Sequence, residues 1–464
     1  MNIFVKNNVL PPNRILFCYL IIAVFVFSGC VEEKSVSLRK FPYPYLSALA
    51  VCSDIDQTGS FEEFATIQKF LNSNEKTIYG PGLGLEIGNS YWFYNDSYDK
   101  IITPEDSLLP RDEGISIFSG TTDSLNKYAP GLMRLIRAGY IDCFHSYGHF
   151  GREGFTRQLA KQAITLIQSE SLAVDVYINH GASGTNFQNI GDASWCYGDN
   201  VESPYYHTDL TIPSGIKFLW RGQLTHCIGQ DGRFSFLNNL KQIYEYFQDI
   251  RYTELDFEHD NRLVHIFHLD DSTKLFEFAR YINPWGKYPD AIADNFSLQL
   301  GPTQVDNLIN NGGYLIFYTH FGRNSGPPYL TGPTIAALQY IKKKNAEGKL
   351  MVTTTSKLLN YYVHHKYLYW HTLDTADTVN IYIDSISNPV EGNFIPDETD
   401  IQGITFYIPD NKIIGLYAGD KSIQFIQNDA DKTGRHSVSV PWQFLSLPSH
   451  IFSTILTDKA DILD

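Results

Sequence analysis

Apolar and polar positions keep two different rhythms along this chain. From Leu46 to about His365, short apolar runs alternate with longer stretches of helical period. "YLSALAVCSDID" is an unbroken apolar run closing on carboxylates, the pattern of a strand buried on both faces. "SFEEFATIQKFLNS" spaces its apolar residues by three and four, which predicts an amphipathic helix. Ser60 stands at its N-cap and Glu63 follows three residues on, a capping box. "SLNKYAPGLMRLIRAGY" predicts a second helix ended by Gly139, and "GFTRQLAKQAITLIQSES" a third. "IDCFHS", "AVDVYINHG" and "YLIFYTHFG" read as strands, and "TGPTIAALQYIKKKNAEG" as a helix with Pro333 in its first turn. "KLMVTTTSKLLNYY" gives a short strand and a further helix. Strands alternating with helices predict an α/β fold with a parallel sheet or barrel over residues 46–365.

After His365 the period drops to two. "YLYWHTLDTADTVNIYIDSIS", "GITFYIPD", "IIGLYAGD" and "SIQFIQND" alternate apolar with polar residues between Asn, Asp, Gly and Pro punctuation. This predicts a small antiparallel β-sandwich-like domain over residues 366–464. Residues 31–45, charged and then Pro-interrupted, read as a tether.

The first thirty residues carry a different signal. Lys6 and Arg14 precede an apolar run from Ile15 to Phe27, followed by "SGC". A basic start, a short apolar core and small residues before a cysteine make a signal peptide rather than a membrane-spanning helix. "FSGC" resembles the bacterial lipoprotein cleavage box, with Cys30 as the lipidated residue, although Phe27 stands where Leu is usual. The expectation is an exported protein, lipid-anchored to the cell envelope. Val31 in place of Asp is compatible with the outer membrane or cell surface. Export permits a disulfide, and Cys196 and Cys227 lie in loop-like surroundings that would allow one. Cys52 and Cys143 read as small buried strand residues.

Composition adds two constraints. The net charge is −15 over 464 residues, which excludes nucleic acid as the main partner, since that needs a basic face. Thirty Tyr and thirty Phe suit a sugar-binding surface, where ring faces stack and hydroxyls hydrogen-bond. Strand-rich exported proteins share that richness, so it does not by itself point to a glycan.

The candidate chemistry sits at the strand ends, where parallel α/β folds build their sites. Asp54 and Asp56 end the first strand, His145 and His149 follow the second, Asn179 and His180 the third, and His320 a late one. If the "HSYGH" turn is helical, His145 and His149 face one ion, and an Asp completes a three-ligand site with room for water. Such a set suits Zn²⁺ first, and also Co²⁺, Ni²⁺, Mn²⁺ or Fe²⁺. "EHDNRLVHIFHLDD", with His259, His265 and His268 among carboxylates, reads as a strand with polar alternation, or as a second metal site.

"HSYGH" resembles the HS-x-x-H metal motif of the NodB-like polysaccharide deacetylases, carbohydrate esterase family 4. "AVCSDID" occupies the place of that family's opening Asp-Asp motif, and "YLIFYTHFG" looks like its last motif. The resemblance spans residues 46–365. It implies a distorted (β/α) barrel, a divalent metal, and hydrolysis of acyl groups, acetyl above all, on a polysaccharide. Carried over, Asp56, His145 and His149 would bind metal, Asp54 would be the base and His320 the acid. The pattern departs from the family in three places. Ile55 separates the two acidic residues, so base and ligand can exchange roles. "INHGASGTN" stands where an Arg-Pro motif is expected, leaving Asn179 or His180 to orient the base or contact substrate. The Trp-containing motif has no match. Two other readings stay open: a catalytically degenerate carbohydrate-binding lipoprotein, and a glycosidase that would need a second acid such as Asp270 or Asp271.

Overall fold

The computed structural model describes residues 36–55, 58–95, 115–150, 154–180, 185–188, 197–252, 257–283, 291–322 and 327–448. The signal segment with Cys30, the ligand expectation on Asp56, and Cys196 fall outside these residues.

Eleven strands form one curled sheet. They are β1 (Ser47–Ser53), β2 (Gly88–Tyr91), β3 (Cys143–His145), β4 (Val176–Ile178), β5 (Phe218–Trp220), β6 (Leu224–Thr225), β7 (Val264–His268), β8 (Lys274–Phe278), β9 (Arg280–Tyr281), β10 (Tyr314–Thr319) and β11 (Leu350–Thr353). Their order is β6-β9-β10-β1-β2-β3-β4-β5-β8-β7, with β11 also on β1. Every pairing is parallel except β7 with β8. Only Ala279 separates β8 from β9, and only residues 221–223 separate β5 from β6. Two continuous stretches of chain therefore supply strands near both ends of the ladder, and the sheet curls round on itself.

The wholly buried β1 explains its lack of alternation. Leu49 and Val51 pack outward on helices α1 (Phe61–Asn72), α5 (Pro302–Asn311) and α6 (Gly332–Ala346). Ala48, Ala50 and Cys52 face inward, among Cys143, Ile178, Phe218 and Ile316. Both faces are covered, so both must be apolar. Helices α2 (Ala129–Arg137) and α3 (Arg157–Ser169) precede β3 and β4 and share a core with Phe144, Tyr177 and Leu219 of the sheet. At the start of α1, the Ser60 hydroxyl accepts from Glu63 N at 3.1 Å, and Gly59 N donates to Glu63 Oε2 at 2.9 Å. The capping box is present, with its return bond taken one residue early. Helix α4 (Phe236–Tyr252) follows β6, and α7 (Thr355–Lys366) follows β11.

Beyond α7 the chain is all β, in two sheets. Leu368–Asp374, Thr378–Asn388, Gly392–Phe394, Ile413–Ala418 and Lys421–Ser422 make one. It departs from the antiparallel expectation: Thr378–Asn388 runs parallel to Ile413–Ala418. The other sheet joins Thr405–Tyr407, Ile426–Asn428 and Ser437–Ser439 to the N-terminal strand Ser37–Arg39. Residues 36–45 are thus built into the fold rather than forming part of a tether. Val36 and Phe41 are buried, and the buried Arg39 donates to the carbonyls of Phe41 and Pro42 and faces Asp431 at 3.5 Å. The alternating charges of "EEKSVSLRK" concealed this, because Arg39 is satisfied by carbonyls the sequence does not display. Leu358 and Leu359 of α7 share one core with Ile381, Phe406 and Val438, so the two regions pack as one body. Among the described residues, no helix is long and apolar enough to cross a membrane.

Candidate functional site

Because β1, β2, β3, β4 and β10 are parallel neighbours, their C-terminal ends deliver Asp54, Ser90, His145, His180 and His320 to one rim. The β1–β10 register sets Ser53 opposite Thr319, and Asp54 N donates to Thr319 O at 2.8 Å. The next position, His320, therefore stands beside Asp54 on the neighbouring strand.

His145 is buried and its ring is fixed from behind. The Ser90 hydroxyl donates to Asp54 Oδ1 at 2.9 Å and lies 3.0 Å from His145 Nδ1. A carboxylate only accepts, so the single Ser90 proton goes to Asp54 and His145 Nδ1–H donates to Ser90. The Nε2 lone pair then points away from Asp54, towards His180 Nδ1 at 2.7 Å. His149 Nδ1 lies 3.4 Å from His180 Nε2. The three imidazoles surround one face of Trp92, whose ring centroid is 5.2–6.0 Å from each, and Trp92 Nε1 is anchored on Ile115 O.

The turn between His145 and His149 is not helical. Ser146 sits at φ 49°, and Gly148–His149 forms a two-residue strand beside Tyr94–Asn95. Gly148 has φ 144°, and a Cβ there would lie 1.9 Å from the Tyr94 carbonyl oxygen, so only glycine fits. His145 and His149 are therefore brought together through His180 and not by helical spacing.

Asp54 is buried and accepts from Arg280 at both oxygens, Nη1 at 2.9 Å and Nη2 at 3.3 Å. Arg280 is itself buried between the rings of Trp220 and Tyr318, at 4.5 and 4.8 Å. Burial opposes the guanidinium charge, but Asp54 outweighs it and the Arg280 pKa is raised. A carboxylate accepting two guanidinium bonds and a hydroxyl proton is held firmly in its charged form. Asp54 thus stands as a charged group behind His145, held by Arg280 and Ser90.

Arg280 on β9 holds the Asp54 carboxylate. Asn179 pins the following loop, donating to Phe187 O at 2.6 Å and accepting from Phe187 N. His180 joins the histidine cluster. A second buried pair joins the end of β5 to β8: Arg221, just after β5, donates to Glu277 at 2.8 Å from both Nε and Nη2. Arg280, Glu277, Ser90 and Trp92 were missed by sequence reasoning. The first two carry a signal in retrospect, as lone charges inside the apolar run "LFEFARY".

His320 is half-buried, and its Nδ1 lies 2.7 Å from Ala291 O. A carbonyl only accepts, so Nδ1 carries a proton and neutral His320 presents Nε2 as an acceptor. Asp142, three residues before His145, is fully buried. Burial lifts its pKa from 3.8 to about 7, against the Ser356 N–H that its Oδ2 accepts at 2.8 Å.

Of the remaining candidates, Asp270 is tied to Gln188 and Asp271 to Tyr206. Glu258, Asp260 and His265 form a group with ligand atoms close enough to hold a metal ion. Its carboxylates are exposed, and Asp260 is already engaged by Arg262 and by His265 at 3.2 Å. Cys227 is a buried free thiol facing Asn238 O, not a disulfide partner. Compared with known proteins, the chain matches no family model and no curated protein.

Proposed function

We propose that the chain is a metal-dependent hydrolase that removes acyl groups, acetyl foremost, from a cell-surface glycan. The observation that carries this reading is the cluster of His145, His149 and His180 at the C-terminal ends of parallel strands, backed by a buried carboxylate. Three imidazoles, one with Nδ1–H committed and Nε2 directed into the cluster, are the donor chemistry of a Zn²⁺-type site. In this reading a divalent cation would be held by His145 and His149 with His180 beside them; the ligand expected at Asp56 lies outside the described residues. A cation bound there would polarise an acyl carbonyl and acidify water. The rest of the chemistry belongs to the chain. His320 Nε2 takes a proton from the attacking water and returns it to the departing amine or alcohol. Asp54, clamped by Arg280, holds the negative charge that steadies His145. Trp92 walls the site and limits water on one side.

The distorted-barrel fold of the polysaccharide deacetylases is part of this proposal. Its support is the parallel ladder whose distant members are linked through Ala279 and residues 221–223. Export and lipid anchoring at Cys30 rest on the "FSGC" resemblance.

The test is metal content and hydrolysis of acetylated oligosaccharides by the full chain, beside the His145→Ala/His149→Ala variant. The reading expects about one divalent ion per chain and acetate release, both lost in the variant. Metal bound without turnover on any acetylated glycan would leave a carbohydrate-binding protein. Absence of metal in a folded chain offered Zn²⁺, Co²⁺, Ni²⁺ and Mn²⁺ would end the hydrolase reading.

A further inference from the structure

Helix α4 is built inside out. Three of its polar residues, Asn238, Lys241 and Glu245, face the protein and hold the loop before it. Asn238 Nδ2 donates to Ile228 O at 2.9 Å, Lys241 Nζ donates to His226 O at 2.7 Å, and buried Glu245 accepts from His226 N at 2.5 Å. Its apolar residues face outward: Phe236 is 67% exposed, Leu237 68%, Leu240 47%, Ile243 54%, Tyr244 47% and Phe247 64%. An ordinary surface helix has the opposite orientation. The hydrogen bonds to the 226–228 loop prevent α4 from rolling its apolar side inward, since doing so would strand Glu245 and Asn238 without partners.

The exposed residues form a seam. Phe236, Leu240, Ile243 and Phe247 are spaced four, three and four, the d-a-d-a order of a coiled-coil interface, with Leu237 and Tyr244 seven apart along one side. At the exposures quoted, the six side chains leave on the order of 600 Å² of apolar surface open. Phe234, 84% exposed, and Tyr246, 48% exposed, extend it to roughly 800 Å², the area that one partner contributes to a standard interface. That lies above the largest patch of a typical monomer.

We infer that α4 is a dimerisation helix, covered by α4 of a second copy of this chain. A four-three seam is self-complementary, and a two-fold axis between Leu240 and Ile243 sets each against the other in an antiparallel pair. A second copy needs no charge complement, whereas an anionic lipid surface does. A helix lying on lipid keeps Lys and Arg on its outer flanks. Here Arg233 is the only exposed charged residue among residues 233–247, Lys241 is turned inward, and the chain carries −15.

The experiment is sedimentation equilibrium of the full chain in density-matched detergent at tens of micromolar, beside the Leu240→Glu/Ile243→Glu variant. The expected result is twice the chain mass for the parent and a single chain mass for the variant, with unchanged circular dichroism. Both positions are exposed, so the variant keeps its fold; if it does not, the parent's mass alone decides. A monomeric parent overturns the inference. So does a dimer that the variant preserves. A monomeric parent that binds phosphatidylglycerol vesicles through these residues would reassign the face to lipid.

Discussion

Replacing Arg280 by Met puts the central ion pair of the site to a direct test. The Arg280 side chain is 1% exposed and that of Asp54 3%, so both charges are out of water. Their two contacts, 2.9 and 3.3 Å, form a bidentate clamp, and the guanidinium is further held between Trp220 and Tyr318. Met fills much of the same slot and makes favourable sulfur–ring contacts, so the cavity cost is small. What remains is a buried carboxylate facing neutral donors, the Ser90 hydroxyl and the weak Cys52 thiol. Breaking a buried pair from one side costs about 3–5 kcal/mol. Arg280→Met should therefore lower the unfolding free energy at pH 7 by that much, read as a lower urea midpoint at constant m. Adding Asp54→Asn removes the stranded charge while Ser90 can still donate to the amide oxygen. The double variant should then recover at least about 2 kcal/mol relative to the single, a coupling in the range expected of touching groups. The assay is urea unfolding followed by far-ultraviolet circular dichroism on the parent, both singles and the double. A loss under about 1 kcal/mol for Arg280→Met, or strict additivity in the cycle, would refute the claim that this pair holds the rim.

Two further outcomes follow from the same geometry. Asp142 has a folded pKa of about 7 against 3.8 unfolded, raised chiefly by burial. Between those values the folded chain holds a proton that the unfolded chain has lost, so the parent loses stability as pH rises from roughly 4 to 7, by up to about 4 kcal/mol. Asp142→Asn has no such group, so its advantage over the parent should be greater at pH 8 than at pH 4; equal differences at both pH values in thermal melts would contradict the assignment. His180→Ala removes the imidazole that joins His145 to His149, and should weaken divalent-metal affinity at least about 10-fold in chelator competition with the fold intact. Unchanged affinity would place His180 outside the site.

The rim was legible in the sequence to the extent that its residues close apolar strands. Asp54, His145, His180 and His320 were found because a strand end is marked by the change from apolar to polar residues. Groups that sit inside a strand gave no such mark. Ser90 lies within β2 and Arg280 opens β9 inside the apolar run "LFEFARY", and their meaning comes from pairing with Asp54 across the sheet. The turn conformation was misread for a local reason: the four-residue spacing suggested a helix, but Ser146 at φ 49° and the close approach of Gly148 to Tyr94 produce a bridge. Residues 37–39 were placed in a tether because a three-residue strand borrowed by a distant sheet has no period to detect. Helix α4 has a clear amphipathic period, yet period alone does not say which face turns inward. That depended on the N–H and C=O groups of the 226–228 loop, which polar side chains of α4 satisfy.

The stretch from Lys274 to Tyr281 shows why charges belong in the buried strands of this sheet. It pairs with β5 through β8 and, one residue later, with β6 and β10 through β9. Its apolar residues, Leu275, Phe276, Phe278, Ala279 and Tyr281, occupy both faces and are all buried, so hydrophobicity does not choose between neighbouring registers. Glu277 and Arg280 do. Glu277 has its partner only with β5 in the observed register, where it meets Arg221, and Arg280 only where it meets Asp54. A one-residue slip would bury a carboxylate and a guanidinium apart from their partners, at several kcal/mol each. The pairs thus contribute less to net stability than to selecting one alignment. Because Arg280 also clamps Asp54, the same constraint that sets the strand register fixes the carboxylate behind His145.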